Sequence, residues 1–384
     1  MDILIVGAGL VGQVLALGLD QLGYEVGLVE SKNFEPPSCL KDTRAIALSY
    51  GSVKILENLN LWEKLSAQAT PINLVHVSEK GGFANCRIDQ KELGLDYLGQ
   101  VLEISVLLKN MMDLVSARKN IKLFAPAEID LDSLEDFKNT KIMSLKSGEK
   151  IQAELIISAD GRDSGIKKYL DLDSQTQSFN QVALVGNIKL KNSHENIAYE
   201  RFTGAGPLAL LPIDQDRATF IWVIRPEDVK KNLELAPEDF LRKLQNNFGY
   251  RAGKFQKLLS LQSHELIQTI SQETYKNKIL LMGNAAHALH PIAAQGFNLS
   301  LRDIAEFLNQ VGKLGLESDQ AVLNYLSMRT RDQKKVAQFS GFLAEIFTKE
   351  GFGLLKIARG LGLFFLEREK FSKRYLAERL AGVL

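Results

Sequence analysis

Short apolar runs alternate with amphipathic stretches over the first 160 positions. Residues 2–6 (Asp2-Ile3-Leu4-Ile5-Val6) predict a buried strand, the periodicity over 10–22 predicts a helix, and 25–30 predict a second strand. Further helices are expected over 52–66, where Val53, Leu56, Leu59 and Leu65 recur, and over 104–119. Residues 121–159 alternate short strands with polar turns and end in the apolar run Leu155-Ile156-Ile157. After about residue 180 the pattern changes. Four β-type runs, 182–190, 197–203, 208–213 and 218–225, are punctuated by Gly204-Ala205-Gly206-Pro207 and Asp214-Gln215-Asp216-Arg217, which predicts an antiparallel sheet. A buried strand returns at 279–282, followed by a helix over 297–311 that carries Phe297, Leu301, Ile304, Leu308 and Val311 on one face; 319–384 reads as helical. The pattern therefore predicts an α/β domain interrupted by an antiparallel sheet and closed by a helical tail.

Composition narrows this picture in three ways. At roughly 150 residues per domain, 384 residues suggest about two domains. Lys and Arg number 47 against 46 Asp and Glu, so no global charge draws the chain to nucleic acid, and none is expected as a partner. The first residues lack a basic region before their apolar run, and no run of about 20 apolar residues exists; the nearest candidate, 353–366, is broken by Lys356 and Arg359. A cytoplasmic protein is expected. Cys39 and Cys86 fit neither a zinc spacing nor a disulfide framework and suit a reducing compartment.

The candidate chemistry begins at Gly7-Ala8-Gly9-Leu10-Val11-Gly12, a G-x-G-x-x-G turn between the first strand and the first helix. Gly7 permits the tight turn, Gly9 lets a pyrophosphate approach the backbone, and Gly12 lets helix pack on strand. The helix N-terminus then offers free N–H groups and a partial positive charge to phosphates. Glu30 ends the second strand, 18 residues after Gly12, where a carboxylate accepts ribose hydroxyls and disfavours a 2′-phosphate. This element alone leaves FAD and NAD both open.

Two further motifs follow buried strands: Ser158-Ala159-Asp160-Gly161-Arg162, and Met282-Gly283-Asn284-Ala285-Ala286-His287 leading into His290-Pro291-Ile292-Ala293-Ala294-Gln295-Gly296-Phe297-Asn298. In this order and spacing the chain resembles the single-component group A flavoprotein aromatic hydroxylases, which share the para-hydroxybenzoate hydroxylase fold. The resemblance runs from Gly7 to about Arg331. Asp42-x-Arg44-x-x-Ala47-Leu48-Ser49, Tyr199-Glu200-Arg201-Phe202-Thr203 with Gly206-Pro207-x-Ala209-Leu210-Leu211-Pro212, and Gly283-Asn284 with His290-Pro291-Ile292-Ala293 resemble the ubiquinone-biosynthesis hydroxylases, most of all the 2-octaprenyl-6-methoxyphenol hydroxylases.

The resemblance implies a Rossmann-type FAD-binding domain with an inserted antiparallel β-sheet substrate domain and a helical C-terminal tail. The corresponding segments are 1–75, 101–175 and 273–335 for FAD, 76–100 and 176–272 for substrate, and 336–384 for the tail. It implies FAD as cofactor, with the ADP half held by Gly7, Gly9, Gly12 and Glu30, and Arg44 reaching the pyrophosphate or ribityl side. Asp160 and Gly161 would serve FAD and the transient NAD(P)H. Gly283 and Asn284 would serve the ribityl hydroxyls, with Asn284 standing where most group A enzymes have Asp. Gln295, Gly296, Phe297 and Asn298 would lie along the isoalloxazine ring. Pro291, Gln295 and Gly296 would border the reacting face as the catalytic set. Ala294 stands where the family usually has glycine; if that position needs φ > 0, alanine costs about 1 kcal/mol.

The implied reaction is NAD(P)H reduction of FAD, then delivery of one oxygen atom from O2 to a polyprenyl phenol through a flavin C4a-hydroperoxide, in a chamber walled by the sheet over 182–225. Two alternatives stay open: a hydroxylase of a soluble phenolic compound, and a non-catalytic FAD-binding scaffold subunit of a quinone-biosynthesis complex. Contacts with other quinone-biosynthesis proteins fit either reading. His287 and His290 lack a third ligand at helical spacing, so no metal is expected. For Glu200 and Arg201 two readings stay open: contact with the substrate chamber, or the solvation ordinary for charged residues of a sheet. In the tail, Phe347, Leu354, Ile357, Leu361 and Phe364 form one helical stripe, followed by Arg368, Lys370, Lys373 and Arg374. The segment 342–374 then either packs on protein or makes a peripheral contact with the inner membrane.

Overall fold

The computed structural model describes residues 1–34, 44–82, 84–290 and 295–348, together with 362, 365 and 367–383. Its first layer is a six-stranded sheet in the order Tyr275–Lys276, Ile279–Leu281, Leu155–Ser158, Ile3–Val6, Val26–Val29, Ile121–Phe124. All neighbours are parallel except Tyr275–Lys276 on Ile279–Leu281. Ile3–Val6, Val26–Val29, Leu155–Ser158 and Ile279–Leu281 are buried along their whole length, as continuous apolar runs in a sheet covered on both faces require. The helix Leu10–Gln21 crosses from the first to the second strand and buries Val14, Leu15, Leu17 and Leu19 against the helices Ile104–Ser116 and Gln295–Leu314.

The second layer is a nine-stranded sheet. Its path runs His287–Ala288, Gln262–Ser271, Ser174–Leu190, Arg217–Ile224, Gly206–Pro212, Ile197–Thr203, Leu74–Glu79, Asn85–Asp89, with Phe255–Leu258 also paired to Ser174–Leu190. The four β-type runs of the sequence form its centre, and they are antiparallel to one another. One pair departs from the expectation: Ile197–Thr203 and Leu74–Glu79 are parallel, because the second strand arrives from a much earlier part of the chain. Helices Pro226–Leu233 and Pro237–Phe248, each with proline in its first turn, cover one face of this sheet. Phe240, Leu244 and Phe248 pack there on Tyr199, Leu208, Leu210, Phe220 and Trp222. A three-stranded sheet, Ala45–Ser49, Gly99–Glu103 and Thr70–Ile72, faces the other side. A second three-stranded sheet, Lys150–Ala153, Thr140–Leu145 and Ile129–Phe137, flanks the first layer.

One helix expectation changes, and so does the setting of one tail lysine. The helix expected over 52–66 is two helices, Tyr50–Asn58 and Glu63–Ser66. Asn60 at φ 53° ends the first, with the Leu61 N–H donating to the Leu56 carbonyl, the left-handed closure asparagine tolerates. In the tail, Gln320–Thr348 and Lys370–Ala381 are helical. Lys373 does not join a solvated basic group: it is buried and pairs with Glu92 and Glu367, while Ala377 enters an apolar cluster with Ala45, Ile72, Cys86 and Leu211. Leu354, Ile357, Leu361 and Phe364, and the side chain of Phe347, lie outside the described residues. No described helix is long and apolar enough to cross a membrane.

Candidate active site

Parallel pairing brings three distant motifs to one edge. Val6 lies opposite both Val29 and Ser158, and Ser158 lies opposite Leu281, so the four strands end in one row. The residues that follow are Gly7-Ala8-Gly9, Glu30, Ala159-Asp160-Gly161 and Met282-Gly283-Asn284. A crevice at the carboxyl ends of parallel strands is where α/β sheets bind nucleotides.

Each glycine in this row has a separate reason to be one. Gly7 has φ 105°, and a Cβ there would stand 2.5 Å from the Ala159 carbonyl oxygen, which separates the first turn from the Asp160 loop. A Cβ on Gly12 would stand 1.9 Å from the Gly7 carbonyl oxygen, so the helix rests directly on the turn. A Cβ on Gly9 would meet nothing within 4 Å. Gly9 is also the N-cap of Leu10–Gln21, with no side chain capping it. That combination, open space beside uncapped N–H groups at a helix N-terminus, is what a pyrophosphate needs. Glu30 accepts from the Ala8 N–H and the Lys32 N–H, each at 3.0 Å. A carboxylate has about four lone-pair sites, so ribose hydroxyls still find acceptors there.

The other motif residues divide between the crevice and the frame. Asn284 is exposed between buried Gly283 and buried Ala285, and Gly283 takes φ 62° against the side chain of Val11. Gly161 takes φ 92° with open space where a Cβ would be. Asp160, by contrast, is engaged internally: its carboxylate accepts from the Ser158 hydroxyl and from the Gly165 N–H at 3.0 Å, tying the loop to the helix Gly165–Tyr169. Asn298 is likewise a tether. Its amide donates to the Ala47 carbonyl and its oxygen accepts from the Ser49 N–H, both at 2.9 Å, so the strand Ala45–Ser49 is fastened to the first turn of Gln295–Leu314. Arg44 leads into that strand, half-buried, with its carbonyl accepting from the Ile104 N–H. Gln295 is buried, Gly296 and Phe297 are half-buried, and Phe297 packs on the main core. Pro291 and Ala294, like Asp42 and Cys39, lie outside the described residues.

His287 and His290 are not a pair. His287 Nε2 lies 2.6 Å from Asp303 Oδ2, whereas His290 Nε2 lies 3.1 Å from Gln181 Oε1 and its ring meets Phe179 edge-on. Burial pushes the His290 imidazole down to about 4, so it is neutral at physiological pH. Asp303 is fully buried and also binds Arg329 Nε at 2.7 Å and Gln333 Nε2 at 3.0 Å. Burial pushes its carboxyl up, but the hydrogen bond from His287 and the charges of His287 and Arg329 outweigh this and hold it below the usual range. Asp303 escaped the sequence reading because amphipathic helices carry many acids. The available signal was its place on the helix's apolar face, beside Ile304 and four residues before Phe307.

The second sheet packs on the three-stranded sheet that Asn298 fastens to the helix Gln295–Leu314. Ala47, Ala45 and Val101 of the three-stranded sheet pack on Ala198, Leu211, Ile221, Val75 and Val77 of the nine-stranded one. On that inner face the register aligns Val185, Ile221, Ala209, Glu200, Val77 and Cys86 in one row. Ile221, Ala209, Glu200 and Val77 all keep accessible surface, whereas Trp222, Leu208, Leu210 and Tyr199 on the outer face are covered. Of the two readings for Glu200 and Arg201, ordinary solvation therefore does not hold. Arg201 turns to the outer face and donates to Ser78 Oγ at 3.0 Å. Glu200 turns inward, and burial alone pushes its carboxyl from 4.5 to about 7.

A raised carboxyl pKa costs stability as pH climbs from the unfolded value through the folded one, and the full cost applies above both. Glu200→Gln removes that cost. The variant is expected to be more stable than the parent above pH 7, by at most about 3 kcal/mol, and equal to it below pH 4. Thermal unfolding across that pH range checks the sign.

Known proteins resemble the chain throughout. The sequence profile of the family described as FAD binding domain matches residues 1–340. Ubiquinone hydroxylase UbiL of Rhodospirillum rubrum is 28% identical, over 100% of this chain and 90% of that protein. The 3-demethoxyubiquinol 3-hydroxylase of Escherichia coli is 26% identical, over 100% of this chain and 98% of that protein. Among solved structures, p-nitrophenol 4-monooxygenase PnpA from Pseudomonas putida superposes with a TM-score of 0.83 at 16% identity, covering 99% of this chain and 98% of that one. At that identity the likeness shows the shared fold.

Proposed function

The chain belongs to the FAD binding domain family, and from that premise we propose that it is an FAD-dependent monooxygenase hydroxylating the aromatic ring of a polyprenyl phenol in ubiquinone biosynthesis. The full-length relatives named as ubiquinone hydroxylases support the substrate class. The observation that carries the cofactor is the open, uncapped Gly9 turn aligned with Glu30 and Asn284 at one sheet edge.

When bound, FAD supplies the two-electron chemistry with NAD(P)H as transient reductant and O2 as the oxygen source. The chain's own residues do the rest. Backbone N–H groups after Gly9 bind the pyrophosphate, Glu30 accepts the ribose hydroxyls, and Asn284 with Gly283 holds the ribityl chain. Arg44 and the Asp160-Gly161 loop flank the cofactor. The first turn of Gln295–Leu314 would present its N–H groups and positive dipole end toward the ring, with Gln295 and Gly296 bordering the reacting face. Asn298 fixes that turn to Ala47 and Ser49, which ties the start of the helix to the strand Ala45–Ser49. The inner face of the nine-stranded sheet excludes water and receives the phenol. Phe371 and Tyr375, exposed beside Arg374 on the last helix, give a tail-bearing substrate's membrane a surface to meet.

Purified protein is expected to be yellow, to oxidise NAD(P)H faster when a prenylated phenol is added, and to place one atom of labelled O2 in the product. Equal turnover of tail-less phenols favours the soluble-substrate reading. Bound FAD with no phenol-stimulated oxidation, even with partner proteins present, favours the scaffold.

A further inference from the structure

Glu200 is a carboxylate without an internal task. Among the described residues, no side chain or backbone group hydrogen-bonds to it. Charged groups almost never occupy such a position unless paired. Its neighbours across the sheet are Val77 and Ala209, and Ile221 follows in the same row. It is deeply surrounded by protein and still keeps accessible surface, as do those three neighbours. Glu200 is thus a deep carboxylate with accessible surface on a floor whose row neighbours Val77, Ala209 and Ile221 are apolar. That floor faces Ala47, whose carbonyl is held by Asn298 at the start of the helix proposed to meet the flavin ring.

Resting on the monooxygenase reading, we propose that Glu200 holds the phenolic hydroxyl of the substrate and removes its proton before oxygen transfer. The O–H bond breaks, its electron pair stays on the phenol oxygen, and the proton passes to a Glu200 oxygen. The ring so charged is a better nucleophile. Oxygen transfer breaks the donor's O–O bond and leaves negative charge on the oxygen that stays behind; when the ring regains aromaticity, the C–H proton at the new hydroxyl passes to that oxygen, and the original phenol oxygen takes back the proton from Glu200. Atoms and charge then balance, and the carboxylate is restored.

The elements around Glu200 leave it room to act alone. Leu74–Glu79 brings Glu79 to the same face, and Asn85–Asp89 brings Cys86, whose thiol burial pushes up to about 11. Beyond Cys86, Glu92 and Glu367 both pair with Lys373. Arg217, at the far end of Arg217–Ile224, is engaged by Asp214 and Glu103. His76 and Arg201 are on the outer face. Glu200 itself, raised by burial to about 7, is a base matched to neutral pH.

The test uses the FAD-loaded enzyme, a short-tail 2-prenylphenol, and a fluorinated analogue whose hydroxyl is already largely ionised near neutral pH. Glu200→Gln is expected to bind FAD as the parent does. It should hydroxylate the plain phenol roughly 10²- to 10⁴-fold more slowly, through kcat. Its rate should climb toward the phenol's own ionisation near about pH 10, where the parent's rate levels near its carboxyl value. The fluorinated phenol should lose far less. Glu200→Asp, which keeps a carboxylate, should recover part of the rate with a parent-like pH profile. The inference is overturned if Glu200→Gln keeps the parental rate and profile, or loses both phenols equally. If the parent itself hydroxylates neither, the monooxygenase reading falls and this inference with it.

Discussion

Gly9→Ala is expected to give a folded protein that purifies without its yellow cofactor. The added methyl meets no protein atom within 4 Å, and the residue sits at φ −70°, so neither sterics nor backbone strain opposes folding. The methyl instead occupies the space through which the pyrophosphate reaches the helix N-terminus. Losing two hydrogen bonds to a charged phosphate, at about 1.5–3 kcal/mol each, weakens FAD binding by ~10²- to 10⁴-fold. Gly12→Ala gives the opposite kind of defect. Its Cβ collides with the Gly7 carbonyl oxygen at 1.9 Å, a contact of backbone with backbone that cannot relax by rotating a side chain. That variant should lose stability of the cofactor-free protein, by about 1–3 kcal/mol or more. Flavin titration combined with unfolding of the cofactor-free forms separates the two. Undiminished FAD affinity in Gly9→Ala would remove the pyrophosphate from this turn.

The second large effect is expected at Asp303, the buried acceptor between His287 and Arg329. Asp303→Ala leaves Arg329 and His287 without their buried acceptor, and breaking a buried pair in this way costs about 3–5 kcal/mol. The sign with pH follows from the depressed carboxyl. Its stabilisation is complete above the unfolded value near 3.9 and disappears as pH falls through the lower folded one. The gap between parent and variant should therefore be constant at neutral pH and close only in acid. Adding Arg329→Met to Asp303→Ala should regain part of the loss, because the stranded cation is then absent. Chemical unfolding measures all three. An Asp303→Ala protein as stable as the parent would show that this network contributes little.

Much of this protein was legible along the chain. Continuous apolar runs such as Ile3–Val6 and Leu155–Ser158 have one reading, a strand buried on both faces, and glycines at fixed offsets after them mark a nucleotide turn. Those are local signals, set by backbone geometry within a few residues. The break at Asn60 was not legible in the same way, since the apolar period continues through Leu59 and Leu65 across it.

Face assignment in the nine-stranded sheet was also hidden. Both faces bury apolar side chains, Leu208 and Leu210 outward and Leu211 and Ile221 inward, so alternation gives no direction to Glu200 or Arg201. Only the helices Pro226–Leu233 and Pro237–Phe248, laid on one side, decide which face is closed and which keeps accessible surface. Asn298 and Asp160 read as ligands for a cofactor because their motifs do; folding turns both side chains largely to the protein's own backbone and hydroxyls. Sequence determined which strands are buried and where a glycine turn leaves helix N–H groups open, because these depend on neighbours in the chain. Tertiary structure alone decided which polar groups are satisfied and which, like the Glu200 carboxylate, find no hydrogen-bond partner among the described residues, because such a partner is found in space.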